Sequence, residues 1–296
     1  MSFVPELVGD GFPALDVYKK IDSSAIFLEL KDFNNQFFRN NKNDLEYYAS
    51  TWVADPLAGW SRKWEYIYVL NKLSEVVKQS RASSEARIMD AGSGVTFFPH
   101  WIAGINDGVS VKCCDMDAKS IASAQNLKAP ASPNVKYHQE DISKIRADAE
   151  SFDAVFCISV IEHCDNAGEI IEEMRRVLKP GGRLVLTFDI SLDDDDTELT
   201  MKKAKNLLSI LKDFFHEDAD YEKLLAGFDE SSALTTEYSR KHDPQSLPWK
   251  KPAPLKQFKH LIKTGKPLEP TFQYLTCFCW SGTKKQGGAR GFTTSG

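Results

Sequence analysis

The sequence predicts an α/β fold, a doubly wound and mostly parallel sheet with helices on both faces, and three observations carry that expectation. Between residues 87 and 190, short apolar runs alternate with segments of helical periodicity, the signature of strands joined by crossover helices. Ala154, Val155, Phe156, Cys157 and Ile158 form an unbroken apolar run, as a central strand buried on both faces requires. In Asp90-Ala91-Gly92-Ser93-Gly94, glycines follow a strand where the chain must turn tightly into a helix.

Taken in order, residues 1–80 are aromatic and polar and contain no βαβ pattern, so they read as a helical N-terminal extension or lid. Within them a helix is expected over 60–78, with Trp64, Ile67, Tyr68, Leu70, Leu73, Val76 and Val77 forming one apolar stripe. Strands are expected at 87–91, 110–114, 135–138, 152–159 and 183–190. Pro99 is acceptable only in a first helical turn, so the helix after the glycine turn is expected to begin late, near Phe98 or Pro99. The helix before the fifth strand is well marked. Asn166 and Glu169 have capping-box spacing, Ile170, Ile171, Met174, Val177 and Leu178 make its stripe, and Lys179-Pro180-Gly181-Gly182 stops it. Beyond lie an acidic loop, a helix over 198–214, a basic helix over 255–263 and a last apolar strand over 271–280. A sheet-centred domain is thus expected over 81–281 and a flexible tail over 282–296.

Composition bounds the function. With 296 residues, 42% hydrophobic and 27% charged, the chain can bury a real core and is no disordered segment. A formal net charge of -5 gives no global footprint for nucleic acid or an anionic membrane, and neither partner is expected. The six cysteines show no CxxC and no metal-type spacing with histidine, which reads as buried free thiols in a reducing compartment. There is no signal-peptide pattern and no apolar stretch near the ~18 to 20 residues that span a bilayer, so a soluble, cytoplasmic protein is expected. The acids at 193–196 lack an EF-hand glycine pattern and read as a solvated loop, with no metal site expected. The lysines of 250–266 read as a solvated helix face.

The chemistry begins at the glycine turn. Asp115 follows the apolar end of the next strand, 23 residues beyond Gly92, where a carboxylate can accept hydrogen bonds from a ribose diol. A helix cap is the competing role, which Asp117 also fits. A dinucleotide turn needs a third glycine, and the chain has Phe97 there, which argues against NAD or FAD.

At these residues the chain resembles the class I S-adenosylmethionine-dependent methyltransferases, over residues 87–190. Asp90 to Gly94 resemble that family's glycine-rich first motif, and Asp115 falls at its ribose-binding acid. Gln139-Glu140-Asp141-Ile142 resembles the adenine-facing segment, with Asp141 the expected partner and Glu140 the alternative. Residues 151–155 and Ser159-Val160-Ile161-Glu162-His163 resemble the fourth-strand motif, and 175–182 its following helix and turn. The resemblance implies a Rossmann-like, seven-stranded sheet whose last strand inserts antiparallel. It also implies S-adenosylmethionine as cofactor, bound by Asp90, Gly92, Ser93, Gly94, Asp115, Met116, Asp141, Ile142 and Ser159. Asp90 would order the loop or meet the cofactor's amino group through water. Arg62, in the cluster Trp60-Ser61-Arg62-Lys63-Trp64-Glu65-Tyr66, would lie near the cofactor's carboxylate, the competing role of the cluster being burial against the core.

The implied reaction asks little protein chemistry beyond alignment, because a sulfonium methyl is already activated. A base is needed only where the acceptor must lose a proton, and His163 is the candidate, with an ordinary pKa of about 6.5; the alternative is that the Glu162-His163 pair lines the pocket without acid-base work. The expected activity is methyl transfer to oxygen or nitrogen of a small-molecule or glycan-type acceptor. Alternatives are a non-catalytic S-adenosylmethionine-binding module and an aminopropyltransferase-like enzyme using the decarboxylated cofactor. Ser159-Val160-Ile161-Glu162 stands where nucleic-acid amine methyltransferases carry an Asn/Asp-Pro-Pro-aromatic tetrapeptide, which argues against that class.

Overall fold

The computed structural model describes residues 8–51, 55–80, 85–193, 199–248 and 272–286. Four helices come first: α1 (Leu15–Ile21), α2 (Ala25–Asn40), α3 (Glu46–Thr51) and α4 (Arg62–Ser80). The alternating part follows as β1 (Ala86–Ala91), α5 (Phe98–Ile105), β2 (Val109–Asp115), α6 (Ala118–Ala124), β3 (Val135–Gln139), β4 (Phe152–Ile158), α7 (Ala167–Val177) and β5 (Leu178–Ser191). The chain continues through α8 (Met201–Phe214), β6 (Phe215–Glu217), α9 (Tyr221–Ala226), α10 (Thr236–His242) and β7 (Leu275–Lys284). The strands form one seven-stranded sheet in the order β3-β2-β1-β4-β5-β7-β6. β1 to β5 pair in parallel, and β7 runs antiparallel to both β5 and β6. The expected doubly wound sheet with its antiparallel last strand is present.

Period-two alternation divides the core between the two faces. Ile88, Val111, Ala154, Phe156 and Val185 face one side, in a cluster with α2, α4 and α5. Met89, Cys114, Val155, Cys157, Leu184 and Leu186 face the other, in a cluster with α7 and α8. Five cysteines are buried and Cys164 is half-buried, all as free thiols.

Several boundaries differ from the sequence expectation. The helix over 60–78 starts at Arg62, and it has no single stripe: Trp64, Tyr66, Ile67, Tyr68, Val69 and Leu70 are all buried. α4 is enclosed because the sheet packs on one side while α1 and α2 cover the other, so these helices share one core with the sheet. The chain before α1 is tied in as well. Gly11 and Cys279 of β7 exchange two backbone hydrogen bonds of 2.9 Å, and Asp10 accepts from Tyr68 (2.6 Å) and Tyr221 (2.7 Å). β7 starts at Leu275 and runs through Gly282 to Lys284, so the last strand takes in residues assigned to the tail. The reason is pairing: Gly282 and Thr283 match Leu184 and Arg183 of β5, which a lack of apolar pattern does not reveal.

Two caps also differ in detail. Asn166 does not accept from the first turn of α7; its Nδ2 donates to Glu169 Oε2 at 3.0 Å, so the capping box is not closed. α8 begins at Met201, capped by Thr200, which accepts from Lys203 N–H at 3.3 Å. α5 begins at Phe98 with Pro99 in its first turn, as the proline predicts. The basic helix over 255–263, the acids at 194–196 and residues 287–296 lie outside the described residues.

Because α4 and the sheet share one core, truncation of Ile67, which is fully buried, should destabilise the whole chain. Ile67→Ala is expected to cost about 2 to 5 kcal/mol, read by denaturant unfolding as a shift of one cooperative transition. A separate early transition for the N-terminal helices would show that they fold as an independent unit.

Candidate functional site

The strand order reverses at β1: the chain runs outward through β2 and β3, then crosses to β4 on the other side of β1. In open α/β sheets that switch leaves a crevice beyond the strand C-termini, where ligands bind. The glycine turn lies there. Gly92 (φ +74°) and Gly94 (φ +51°) adopt left-handed backbone that L side chains disfavour. Space forbids a side chain too, since a Cβ on Gly92 would meet the Val160 methyl at 2.6 Å and one on Gly94 the Tyr48 hydroxyl at 2.5 Å.

The turn is ordered by β2 and Asp115. Gly92 and Ser93 N–H donate to Cys114 O at 2.8 and 3.0 Å, and Gly94 N–H donates to Asp115 Oδ2 at 2.8 Å. Asp115 Oδ1 accepts from Asp117 N–H at 2.8 Å, while Asp117 caps α6 by accepting from Lys119 N–H. The two cap candidates therefore have separate positions. Two accepted bonds leave half of the roughly four lone-pair sites of the half-buried Asp115 carboxylate for a diol. Asp90 does not order the loop through its own hydrogen bonds: among the described residues the turn's N–H groups go to Cys114 and Asp115 instead. It is 5% exposed, and burial, with the Asp115 charge next, pushes its carboxyl well above the usual range.

Met116, beside Asp115, is 67% exposed, a large apolar side chain at the rim of the crevice. Asp141 is exposed, and its Oδ1 accepts from Ser143 N–H and Oγ–H, both at 2.8 Å, while Ile142 is buried. Glu140 is turned away onto Lys112 Nζ (3.0 Å) and Arg146 N–H (3.1 Å), which leaves Asp141 as the acid of that segment open to solvent.

The end of β4 carries the densest polar group. Ser159 is held at φ +47° and its N–H donates to Thr187 O at 2.9 Å. Its hydroxyl donates to Glu65 Oε1 (2.6 Å) and accepts from Arg62 Nη1. Glu65 is fully buried and also accepts from Thr187 Oγ1 (2.6 Å), Ser61 Oγ (2.8 Å) and Arg62 Nη1. Burial alone would raise the Glu65 carboxyl; the Arg62 charge and these hydrogen bonds outweigh it and hold the group below its ordinary value.

The next turn behaves oppositely. In the 3-10 turn Ile161–His163, Glu162 points inward and His163 is exposed. Glu162 Oε1 accepts from Asp189 N–H at 3.2 Å, and Oε2 is buried with no hydrogen-bond partner among the described residues. Burial first, and then the Asp189 charge, push this carboxyl well above the usual range. Sequence reading weighed Glu162 only as half of a pair lining the pocket, took His163 as the candidate base, and gave no role of their own to Glu65, Thr187 and Tyr48. The available signal was Glu65 within an otherwise apolar helical turn.

Comparison with known proteins matches this arrangement. Residues 89–186 fit the family model described as a methyltransferase domain, and the sheet order with its antiparallel last strand is the one that the resemblance to class I S-adenosylmethionine-dependent methyltransferases implies. The chain is similar to a ubiquinone biosynthesis O-methyltransferase of Coxiella burnetii, 25% identical over 123 residues, covering 41% of this chain and 52% of that protein. Its likeness to the protein of the same name from Xanthomonas oryzae pv. oryzae is 31% over 103 residues, 34% of this chain and 42% of the other. The chain thus spans about half the length of the curated relatives it matches. Among solved structures, a putative sarcosine dimethylglycine methyltransferase from Galdieria sulphuraria superposes with a TM-score of 0.50 at 14% identity, over 82% of this chain and 98% of that one, a likeness of fold. No helix among the described residues is long and apolar enough to cross a membrane.

Glu162 gives a pH prediction. Its folded pKa lies above the unfolded value, so as pH rises past about 4.3 the unfolded chain releases a proton that the folded protein still holds, and stability falls. Glu162→Gln removes this term. Calorimetry between pH 5 and 8 should show a smaller loss of Tm with rising pH in the variant than in the wild type; a larger loss would mean that Glu162 is ionised and stabilised in place.

Proposed function

We propose that this chain is a methyltransferase that uses S-adenosylmethionine to methylate an oxygen or nitrogen of a small-molecule or glycan-type acceptor. The observation that carries the reading is Asp115: a half-buried carboxylate that fastens the glycine turn with one oxygen and keeps accepting capacity at the switch point. The donor set suits the cofactor. Asp115 would accept the ribose hydroxyls, Met116 would cover one face of the adenine, and Asp141 with Ile142 would close its edge. Gly92, Ser93 and Gly94 let the backbone approach, Asp90 lies beneath them, and Arg62 and Ser159 stand where the amino-acid end would lie.

When bound, S-adenosylmethionine supplies a methyl group activated by its sulfonium. The chain's own task is then orientation and the exclusion of water, worth on the order of 7 to 11 kcal/mol in well-aligned reactions. Exposed at the rim, His163 is the candidate to take a proton from the acceptor. The names of the curated relatives favour oxygen and a small molecule over nitrogen or a glycan.

A thermal-shift panel tests the cofactor. S-adenosylmethionine and S-adenosylhomocysteine at a hundredfold excess over Kd should each stabilise the protein by about 2.7 kcal/mol, NAD should not, and Asp115→Ala should diminish both shifts. No shift with either sulfur ligand, or an undiminished shift in Asp115→Ala, overturns the reading. Once an acceptor is found, His163→Ala should lower kcat by about 10²- to 10⁴-fold and flatten its pH profile; unchanged turnover removes His163 from the chemistry.

A further inference from the structure

Glu65 is an expensive residue for its place. It sits in α4 among Trp64, Tyr66 and Ile67, all buried, and its side chain has no exposure. Removing a carboxylate from water costs several kcal/mol, and an apolar residue of similar volume often serves the core as well. What the carboxylate does in return is geometric. It gathers hydroxyls from the ends of β4 and β5 (Ser159, Thr187), one from the start of α4 (Ser61), and Nη1 of Arg62.

Arg62 is the member of this group that reaches out. Its side chain is 28% exposed, and Nη1 is fixed twice, on Glu65 and on the Ser159 hydroxyl. Nε and Nη2 make no hydrogen bond to a described residue, so the rest of the guanidinium's five-donor fork is available. Ser159 precedes Val160, whose methyls pack on Gly92, so the hydroxyl that holds Nη1 belongs to the residue next to the one packed on the glycine turn. An arginine held by one edge, with its other edge free, suits a carboxylate, which it can bind through two parallel bonds.

We propose that Glu65 is a positioning residue that, through Ser159 and Thr187, fixes Arg62 as the receptor for the α-carboxylate of the cofactor, and so makes the site select S-adenosylmethionine over its decarboxylated form. The inference rests on the cofactor reading above and adds to it the residue that aims Arg62. Two acids act on the guanidinium, Glu65 on α4 and Asp189 on β5, while Glu162 beside Asp189 keeps its proton. With Arg62 fixed, a carboxylate is matched.

Calorimetric titration of the full chain with S-adenosylmethionine and, separately, decarboxylated S-adenosylmethionine tests this. The wild type should prefer the carboxylate-bearing ligand by about tenfold or more. Glu65→Gln and Arg62→Ala should each abolish most of that preference while leaving the Kd for the decarboxylated ligand within about twofold, and the double variant should be no weaker than Arg62→Ala alone. Thr187→Val, isosteric at a residue hydrogen-bonded to Glu65 but not to Arg62, should lower the preference in the same direction by a few-fold, and it serves if Glu65→Gln does not fold. Equal weakening toward both ligands in Glu65→Gln or Thr187→Val would show a purely structural role and overturn the proposal, as would an unchanged preference. If the wild type binds neither ligand, the cofactor reading itself fails; if it binds both without preference, only the role given to Arg62 and Glu65 fails.

Discussion

Burial of a parallel sheet on both faces is the constraint from which the rest of this structure follows. β1 to β5 run in parallel, so each connection must cross a face and no hairpin is available. The apolar side chains of β1 and β4 alternate between two separate core clusters, and each cluster needs its own helices. α7 and α8, together with α9, cover one face. The other is covered by α5 and by α4, which precedes the first strand, and this is why α4 and the helices over it share a core with the sheet. Parallel pairing also brings the C-termini of β1, β2, β4 and β5 to one edge. Gly92, Asp115, Ser159 and Asp189 meet there by topology, though they span nearly a hundred residues of chain.

At that edge two buried acids meet opposite fates for one physical reason, the number of donors each finds. Glu65 receives four, among them a guanidinium, and stays ionised in spite of complete burial. Glu162 receives one backbone N–H and faces Asp189, so burial wins and its carboxyl rises. The first arrangement fixes the junction of α4 with the sheet; the second leaves a proton-holding group beside the crevice. Such unequal environments for neighbouring acids are a frequent mark of functional sites.

Much of this was legible in the sequence because local chemistry settled it. The continuous run from Ala154 to Ile158 could only be a doubly buried strand, Pro99 placed the start of α5, and Gly92 and Gly94 stand where left-handed backbone is needed. Asp115 was found by its distance from the glycines. The aromatic turn at Trp60 to Tyr66 was less transparent: a helix was expected, but its burial on every side depends on α1 and α2 lying over it. The end of β7 was missed because Gly282 and Thr283 have no apolar signature, and their strand conformation comes from pairing with β5.

The sequence by itself determined the sheet's winding, the glycine turn, the acid that serves it and the class of cofactor implied, since each follows from short-range pattern and backbone sterics. Tertiary structure decided which side chains share the site. Glu65 and Thr187 are 122 residues apart, and nothing in either neighbourhood announces that they share a hydrogen bond of 2.6 Å. The same holds for the adjacent Glu162 and His163, where one turn of backbone sends the acid inward and the imidazole to solvent. Pattern reports the face an element buries; the donors a buried charge will meet are set only when the elements pack.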